Sequence, residues 1–375
     1  MTGRPVFLHL IDELRMGGAQ THLHTILRED LKTSQFQHLV VSLFGEGVVA
    51  DSLRELGVEV IILDLAGAIT RHEYFSVQEQ LYQLILQKKP VIVEAHLTYS
   101  RLLGLFAAWR AGVSKRIGFE QGDIYFNSWK WRLANFIGQF FAKKIIACSE
   151  ALKFWVQKTH FVSSQRIAVF YNCVDPLLFK PSLVPTITRT SLNISPEAFV
   201  FCAVGTLGKG VNKRLDICIQ ALAQISKLHP ETQLLICGDG PQRPELEELT
   251  KKLDLSHRVK FLGFRKDVPD VMAMSNAFCH AAPFEPFGIV CIEAMLLGLP
   301  VIIPDSGGIT EIVEHGVTGL KYEALHSTDF SSKMSALISN PELAKKMSQA
   351  GRERVLNTMT VEKYVHDLRK LYEVV

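Results

Sequence analysis

The sequence predicts an α/β protein made of two successive halves, each built on a parallel sheet, and three observations carry that expectation. Short apolar, β-branched runs alternate with helical patterns along most of the chain. That alternation marks parallel strands joined by crossover helices that cover both sheet faces. A stretch rich in Pro, Ser and Thr, Pro181–Pro196, interrupts the pattern, and the same alternation restarts at Phe199. At 375 residues the chain is long enough for two domains of ordinary size. We therefore expect domains over 1–181 and 182–360, followed by a terminal helix over 361–375.

In the first half, Val6–Ile11 reads as a strand, Met16-Gly17-Gly18-Ala19-Gln20 as a turn, and Thr21–Leu27 as a helix. A glycine turn between strand and helix lets a phosphate approach the backbone closely. Strands follow at His38–Leu43, Val58–Leu63, Val91–Glu94 and Lys115–Phe119, with helices at Val49–Leu56, Phe75–Gln87 and Arg101–Ala111. Gly17, His96 and Glu120 fall at or just beyond strand ends, where ligands of parallel sheets bind. His22 and His24 are two apart on a helix, point to different sides, and make no metal pair. Ile145–Ala147 and Ile167–Phe170 close this half as strands.

Ser128–Lys144, SWKWRLANFIGQFFAKK, is aromatic and basic. Two readings stand. One packs Trp131, Phe136 and Phe140 into the core and leaves Lys143 and Lys144 solvated. The other lays the segment on an anionic lipid surface as a peripheral membrane contact.

In the second half, strands are expected at Phe199–Val204, Gln233–Cys237, Val259–Leu262, Ala277–His280 and Val301–Ile303. Gly205-Thr206-Leu207-Gly208-Lys209-Gly210 precedes Asn212-Lys213-Arg214 and a helix from Leu215. Glycines and cations ahead of a helix can wrap a diphosphate, although this loop is no Walker motif. Helices over Pro244–Leu253, Val268–Met274, Asp329–Ser339, Pro341–Leu356 and Val361–Leu371 complete the chain.

The stretch CHAAPFEPFGIVCIEAMLLGLPVIIPDSGG, from Cys279, concentrates the chemistry. Its helix is expected to start near Phe287 or Gly288, so that the first amides, unpaired and at the positive end of the dipole, suit a phosphate. Glu285 precedes that start and Glu293 lies within the helix, with seven residues between them. At ~1.5 Å of rise per residue their separation along a helix axis would be roughly 12 Å. That span lets one carboxylate hold a sugar and the other a ribose, with a diphosphate between.

This pattern resembles the GT-B glycosyltransferases of glycosyltransferase family 4, also called glycosyl transferases group 1, which retain the anomeric configuration. Their signature is two glutamates separated by seven residues, here Glu285-Pro-Phe-Gly-Ile-Val-Cys-Ile-Glu293, followed by GLPVI and a GG turn. The resemblance implies two Rossmann-like domains facing across a cleft, with the last helix crossing back onto the first domain. It implies transfer of a sugar from a nucleoside-diphosphate sugar, UDP- or GDP-linked, to a glycan or lipid-linked acceptor, with no protein-bound metal and no other cofactor.

The resemblance also assigns roles. Lys213 and the amides of Gly288, Ile289 and Val290, beside Phe287, would stabilise the departing diphosphate. Glu293 would take the ribose hydroxyls and Glu285 the transferred sugar. His96 would face that sugar, and Gly17 and Gly18 would approach the phosphates and the acceptor. Gly205, Lys209 and Gly238 belong to the diphosphate loops, and Gly263, Phe264 and Arg265 to the nucleobase turn. The sequence departs from the family at Gln20 (usually Glu), Cys173 (Gly), Thr206 (Arg) and Ala282 (Ser). Lys209 and Arg214 are the candidates for the cation missing at Thr206. A non-catalytic nucleotide-sugar-binding partner and a GT-B epimerase are the alternatives.

Composition fits this picture and narrows it. A hydrophobic fraction of 47% with 21% charged residues is ordinary for a globular protein. A net charge of +3 is too small to argue for nucleic acid. Seven cysteines without a C-x-x-C read as buried free thiols in a reducing cytoplasm. Asp12, Glu13 and Arg15 interrupt the first apolar run, unlike a signal peptide, and no apolar stretch approaches the ~20 residues of a membrane span. A cytoplasmic protein, free or resting on the inner membrane face, is expected.

Overall fold

A computed structural model describes residues 4–122, 129–208 and 213–374; the side chains of 129–132 and 134 lie outside that description, as does Lys209. The elements run β1 (Val6–Ile11), α1 (Gly18–Asp30), β2 (Gln37–Ser42), α2 (Val48–Glu55), β3 (Glu59–Ile62), α3 (Ala66–Thr70), α4 (Tyr74–Lys88) and β4 (Ile92–His96). They continue with α5 (Leu105–Arg110), β5 (Lys115–Glu120), α6 (Trp129–Phe140), β6 (Lys144–Ala147), α7 (Glu150–His160) and β7 (Ile167–Val169). Next come β8 (Val200–Val204), α8 (Leu215–Ile225), β9 (Gln233–Cys237), α9 (Arg243–Lys252), β10 (Val259–Gly263), α10 (Val268–Ala273) and β11 (Ala277–Cys279). The chain ends with α11 (Ile289–Leu296), β12 (Val301–Pro304), β13 (Gly319–Tyr322), α12 (Ser327–Ser339), α13 (Pro341–Thr358) and α14 (Val361–Val374).

Contacts divide the chain into two units, 1–173 with 361–375, and 174–360. The division precedes the expected 181/182 boundary because Pro181–Pro196 belongs to the second unit. There the Ser182 amide donates to Asp270, and Arg189 donates to Met274 O and to Asn276.

The first unit holds a seven-stranded sheet in the order β3-β2-β1-β4-β5-β6-β7, and the second a six-stranded sheet in the order β10-β9-β8-β11-β12-β13. The ladders are parallel, as β1 with β4 and β8 with β11 illustrate. In each sheet the chain winds outward one way and then returns to the middle to wind the other. The reversal falls between β1 and β4 in the first unit and between β8 and β11 in the second. Loops leaving adjacent strands diverge at such a switch point, and the crevice between them takes the ligand.

In the first unit α14 lays Val361, Tyr364, Val365, Leu368 and Tyr372 against Phe7, Ile26, Ile92, Ile117 and Ile146. Those helix positions follow the three-and-four spacing of a single face, so their burial fixes the orientation of α14 on this unit. The second core packs Leu215, Cys218, Ile219 and Leu222 of α8 with Phe330, Met334 and Leu337 of α12 over the sheet. All seven cysteines are buried thiols outside any disulfide.

Several expectations need correcting. Helix α1 starts at Gly18 rather than Thr21, with Gly17 as its cap. The helix expected at Arg101 begins as a π turn over Ser100–Gly104, where the Asp12 carboxylate accepts from the amides of Tyr99 and Ser100. Strand β13 and helix α7 were not expected. Strand β13 follows a tight turn whose Gly316 takes φ +81°, and its pairing with β12 comes from across the sheet rather than from a long apolar run.

The core reading of the aromatic segment is also overturned. Leu133, Phe136, Ile137 and Phe140 are exposed, Phe140 by 67%, while the polar Asn135 and Gln139 of the same helix are buried. The reason is polar: Arg101 pairs with Glu120, and Asn135 and Gln139 satisfy that buried pair. Helix α6 thus turns its polar face inward. Trp131, like Trp129, Lys130 and Arg132, lies outside the described side chains.

Candidate active site

The second unit builds its crevice from loops that only glycine allows. Gly238 takes φ +141°, and a Cβ there would sit 1.9 Å from Gly205 O. Gly205 N donates to Cys237 O, Leu207 N to Asp239 O, and Gly238 N to Gly263 O. The loops leaving β8, β9 and β10 therefore lie in direct backbone contact, a floor with no side chain between. Lys213 closes one side, its aliphatic stem within 3.1 Å of where a Gly205 Cβ would stand.

Past β11 the chain forms a loop over His280–Phe287 before α11 begins at Ile289. Gly288 is the cap, at φ +94°, a conformation that an L side chain resists. The helix therefore starts one or two residues later than expected, and Glu285 lies wholly in the loop. The axial estimate applies only from Ile289 to Glu293, which is about 6 Å of rise. Opposite this loop, Gly307 packs on the Glu285 backbone, where a Cβ would be 2.9 Å from Glu285 O, and Ser306 Oγ donates to Pro283 O. The GG turn thus buttresses the glutamate loop. The ladder of α11 starts with Cys291 N donating to Gly288 O at 2.9 Å, so the amides of Ile289 and Val290 precede it at the positive end of the dipole.

The two glutamates sit in opposite electrostatic surroundings. Lys213 Nζ donates to Glu285 Oε2 at 2.7 Å, and His280 Nε2 lies 3.2 Å from the same oxygen. Burial works to raise the Glu285 carboxyl, but the Lys213 ammonium and His280 outweigh it and hold it at about 2. Glu293 has no side-chain partner among the described residues, and burial pushes its carboxyl up to about 7. Arg214, one of the two candidate substitutes at Thr206, is engaged by Asp216 at 2.8 Å, and the other, Lys209, lies outside the described residues. Arg265 likewise pairs with Asp267, while Phe264 beside it is 62% exposed. Gly263 takes φ +69° at the end of β10. Ala282 is buried and offers no polar atom.

In the first unit, Gly17 and Gly18 open α1 beyond β1, and no atom lies within 4 Å of a Cβ placed on Gly18. Gln20 turns inward and donates to Glu13 O at 3.3 Å. His96 ends β4 beside Ile11 and stacks on Phe119 at 4.5 Å. Both its ring nitrogens lack hydrogen-bond partners, and burial pushes it down to about 3, so it is a neutral imidazole. His22 is buried against Tyr364 of α14, away from the half-buried His24.

The structure thus brings together Gly205, Lys213, Gly238, Glu285 and the Gly288 cap within the second unit. Sequence reading missed His280, whose one signal was its place at the carboxyl end of β11. It also missed His9 and Glu94, which lie inside strands and carry no spacing that marks them.

A parallel-sheet unit with backbone-only loops, a lysine–glutamate pair and a free helix N-terminus at its switch point has the parts of an anionic-ligand site of the GT-B type. Comparisons with known proteins give the family. The family description "Glycosyl transferases group 1" matches residues 186–354, and "Glycosyltransferase Family 4" matches residues 16–177. The chain belongs to glycosyltransferase family 4 and is a GT-B glycosyltransferase. It is 28% identical, over 77% of this chain and 69% of the other, to the N-acetyl-α-D-glucosaminyl L-malate synthase of Bacillus anthracis. It is 25% identical, over 78% and 77%, to the UDP-Gal:α-D-GlcNAc-diphosphoundecaprenol α-1,3-galactosyltransferase of Escherichia coli. Among solved structures, that of Anabaena HepE in complex with UDP-glucose superposes with a TM-score of 0.84 at 25% identity, covering 99% of this chain and all of that one.

Proposed function

We propose that the protein transfers a hexosyl or N-acetylhexosaminyl group from a nucleoside-diphosphate sugar to a glycan or lipid-linked acceptor, with retention and without a protein-bound metal. The observation that carries the reading is the Lys213–Glu285 pair at 2.7 Å beside the α11 N-terminus. A fixed ammonium and the first amides of α11, at the positive end of its dipole, can neutralise a departing diphosphate, the task a divalent ion performs in other transferases. Lys213 leaves Glu285 for the diphosphate, and Glu285, ionised throughout the physiological range, then bonds the sugar hydroxyls and the positive charge developing at the anomeric carbon. Glu293, without a side-chain partner among the described residues, accepts from the ribose hydroxyls. The loops at Gly205, Gly238 and Gly263, with Phe264 and Arg265, hold the rest of the donor, and Lys209 is the remaining candidate for the second cation. In the first unit His96, Gly17 and Gly18 serve the sugar and the acceptor. The names of the relatives support this reading, since one acts with UDP-galactose on a lipid diphosphate and another was solved with UDP-glucose.

A peripheral membrane contact accompanies it. Phe136 and Phe140 of α6, with Phe154 of α7, are exposed, and Lys143 lies nearby in the chain. An outward aromatic face with flanking lysine suits an anionic bilayer surface, where a lipid-linked acceptor resides. Among the described residues no helix is long and apolar enough to cross a membrane. The cytoplasmic face of a membrane is the location that this reading proposes.

The test is a screen of UDP- and GDP-sugars by thermal shift, followed by NMR of the product formed in excess chelator. An α-linked donor should give an α-linked product without added metal. Inversion, or activity that returns only with magnesium, would overturn the mechanism.

A further inference from the structure

The central strands of the first unit bring three metal-ligating side chains together on one face. Strands β1 and β4 pair in parallel register, with His9 beside Glu94 and Ile11 beside His96. Side chains two apart on a strand share a face, so Glu94 and His96 project together, and His9 joins them from the neighbouring strand. His9 Nδ1 lies 3.0 Å from Glu94 Oε2, and His96 Nε2 lies 3.8 Å from the same oxygen. One ligand atom from each of the three residues lies within 4.8 Å of the others. All three residues are at most 2% exposed.

Hydrogen bonding does not account for this cluster. Among the described residues His9 Nδ1 has no hydrogen-bond partner despite its short distance to the carboxylate, and neither ring nitrogen of His96 has one. Buried polar atoms are nearly always satisfied, and each exception asks for an explanation, a bound ion among them. Two imidazole nitrogens and a carboxylate oxygen that converge without a shared hydrogen make a donor set for a cation.

The surroundings of the three donors suit metal ligands. A ligating imidazole commits its second nitrogen to a neighbouring group, which fixes the ring. His9 Nε2 is 3.0 Å from His38 Nδ1, and His38 Nε2 is 2.9 Å from the Ser34 hydroxyl. Phe7 stacks on the ring of His9 at 4.3 Å and Phe119 on that of His96 at 4.5 Å. The other Glu94 oxygen, Oε1, accepts from the Tyr372 hydroxyl of α14. Burial lowers both imidazoles and keeps them neutral, the form that ligates. A buried carboxylate needs a counter-charge. Arg369 of α14 is committed to Asp30, and Arg101 of the π turn to Glu120.

We propose that His9, Glu94 and His96 bind a divalent transition-metal ion that staples β1 to β4. Ligands about 2.0–2.1 Å from a tetrahedral zinc ion stand about 3.3–3.4 Å apart. The observed separations of 3.0 and 3.8 Å bracket that spacing. Two imidazoles with one carboxylate suit zinc better than magnesium or calcium, which take oxygen ligands. Three protein ligands leave a fourth position for water. Through Glu94 and Tyr372 the ion also steadies α14 on the sheet. Its role is structural and belongs to the first unit. The transfer proposed above needs no metal at the leaving diphosphate, for which Lys213 of the second unit is the cation. Ligation by one nitrogen of His96 leaves the other for the sugar assigned to it.

The experiment uses the full-length protein, expressed without a polyhistidine tag in zinc-supplemented medium and subjected to elemental analysis. The natural protein should carry stoichiometric zinc through purification. Glu94→Gln, whose amide oxygen still accepts from Tyr372, should lose it. Stripping the ion from the natural protein should lower its melting temperature, because a ligand bound only to the native state stabilises it. Zinc or cobalt, but not magnesium, should restore the lost stability. The cobalt-loaded natural protein should show the visible absorption of a low-coordinate site with nitrogen ligands. The readouts on the natural protein do not depend on the variant folding. Natural protein free of transition metal, zinc retained equally by Glu94→Gln, or a melting temperature indifferent to zinc and cobalt would each overturn the proposal.

Discussion

The two sheets share a topology and differ in what they bring to the switch point. The second unit ends its central strands in backbone: Gly205 and Gly238 touch directly, and the main charges near them, Lys213 and Glu285, neutralise each other. The first unit ends its central strands in side chains: His96 is stacked on Phe119, and His9, His38 and Glu94 fill the interior behind it. On the proposed reading, bare backbone and a helix terminus take the donor's diphosphate. Buried side chains fill space and leave His96 without a hydrogen-bond partner. The difference teaches that one fold, used twice, can place the strongest electrostatic work in one copy and leave the other to position and dock.

Breaking the Lys213–Glu285 pair should have the largest effect. Lys213→Ala removes the cation aimed at the leaving group, a contact made mainly in the transition state. The expected loss in kcat is orders of magnitude, measured with any donor that the thermal-shift screen identifies. A variant retaining most activity would move the charge work elsewhere, Lys209 first. Helix α6 offers the next test, because its exposed side chains carry little of the fold. Phe136→Glu with Phe140→Glu should abolish sedimentation with anionic liposomes and leave the melting temperature unchanged. Equal sedimentation of variant and natural protein would remove the membrane contact from the account.

A smaller, graded effect belongs to Glu293. Its ionised carboxylate is the form that accepts from both ribose hydroxyls most strongly, and burial pushes it up to about 7. Affinity for the free nucleotide should therefore rise with pH and level off above about 7, falling by about tenfold for each pH unit below that value. Glu293→Gln should bind weakly and lose this slope. A natural protein whose nucleotide affinity is flat from about pH 5 to about pH 8 would separate Glu293 from the ribose.

Legibility followed the same division. In the second unit the glycines, the lysine and both glutamates lie in short, marked loops, because a strained backbone leaves a visible residue type. Gly238 and Gly288 could be placed from sequence for that reason. What sequence misplaced there was geometry: Gly288 takes a left-handed cap, so α11 starts at Ile289, and the axial spacing does not extend back to Glu285 in the loop. In the first unit, His9 and Glu94 occupy ordinary strand positions. Their significance comes from pairing β1 with β2 and β4 and from α14 arriving more than 260 residues later, which no local pattern encodes. Helix α6 misled for a related reason. Its polar residues are buried by the Arg101–Glu120 pair, and no apolar count along the segment could show that.

The central claim is that two carboxylates of one loop and helix divide the donor between them, Glu285 taking the sugar and Glu293 the nucleotide. Calorimetric titration of the free nucleoside diphosphate, UDP or GDP as the screen selects, into Glu285→Ala and Glu293→Ala tests it directly, with turnover measured on the same samples. Glu285→Ala should bind the nucleotide nearly as the natural protein does and fail to turn over. Glu293→Ala should lose most of the nucleotide affinity. Equal losses of affinity in the two variants would contradict the division.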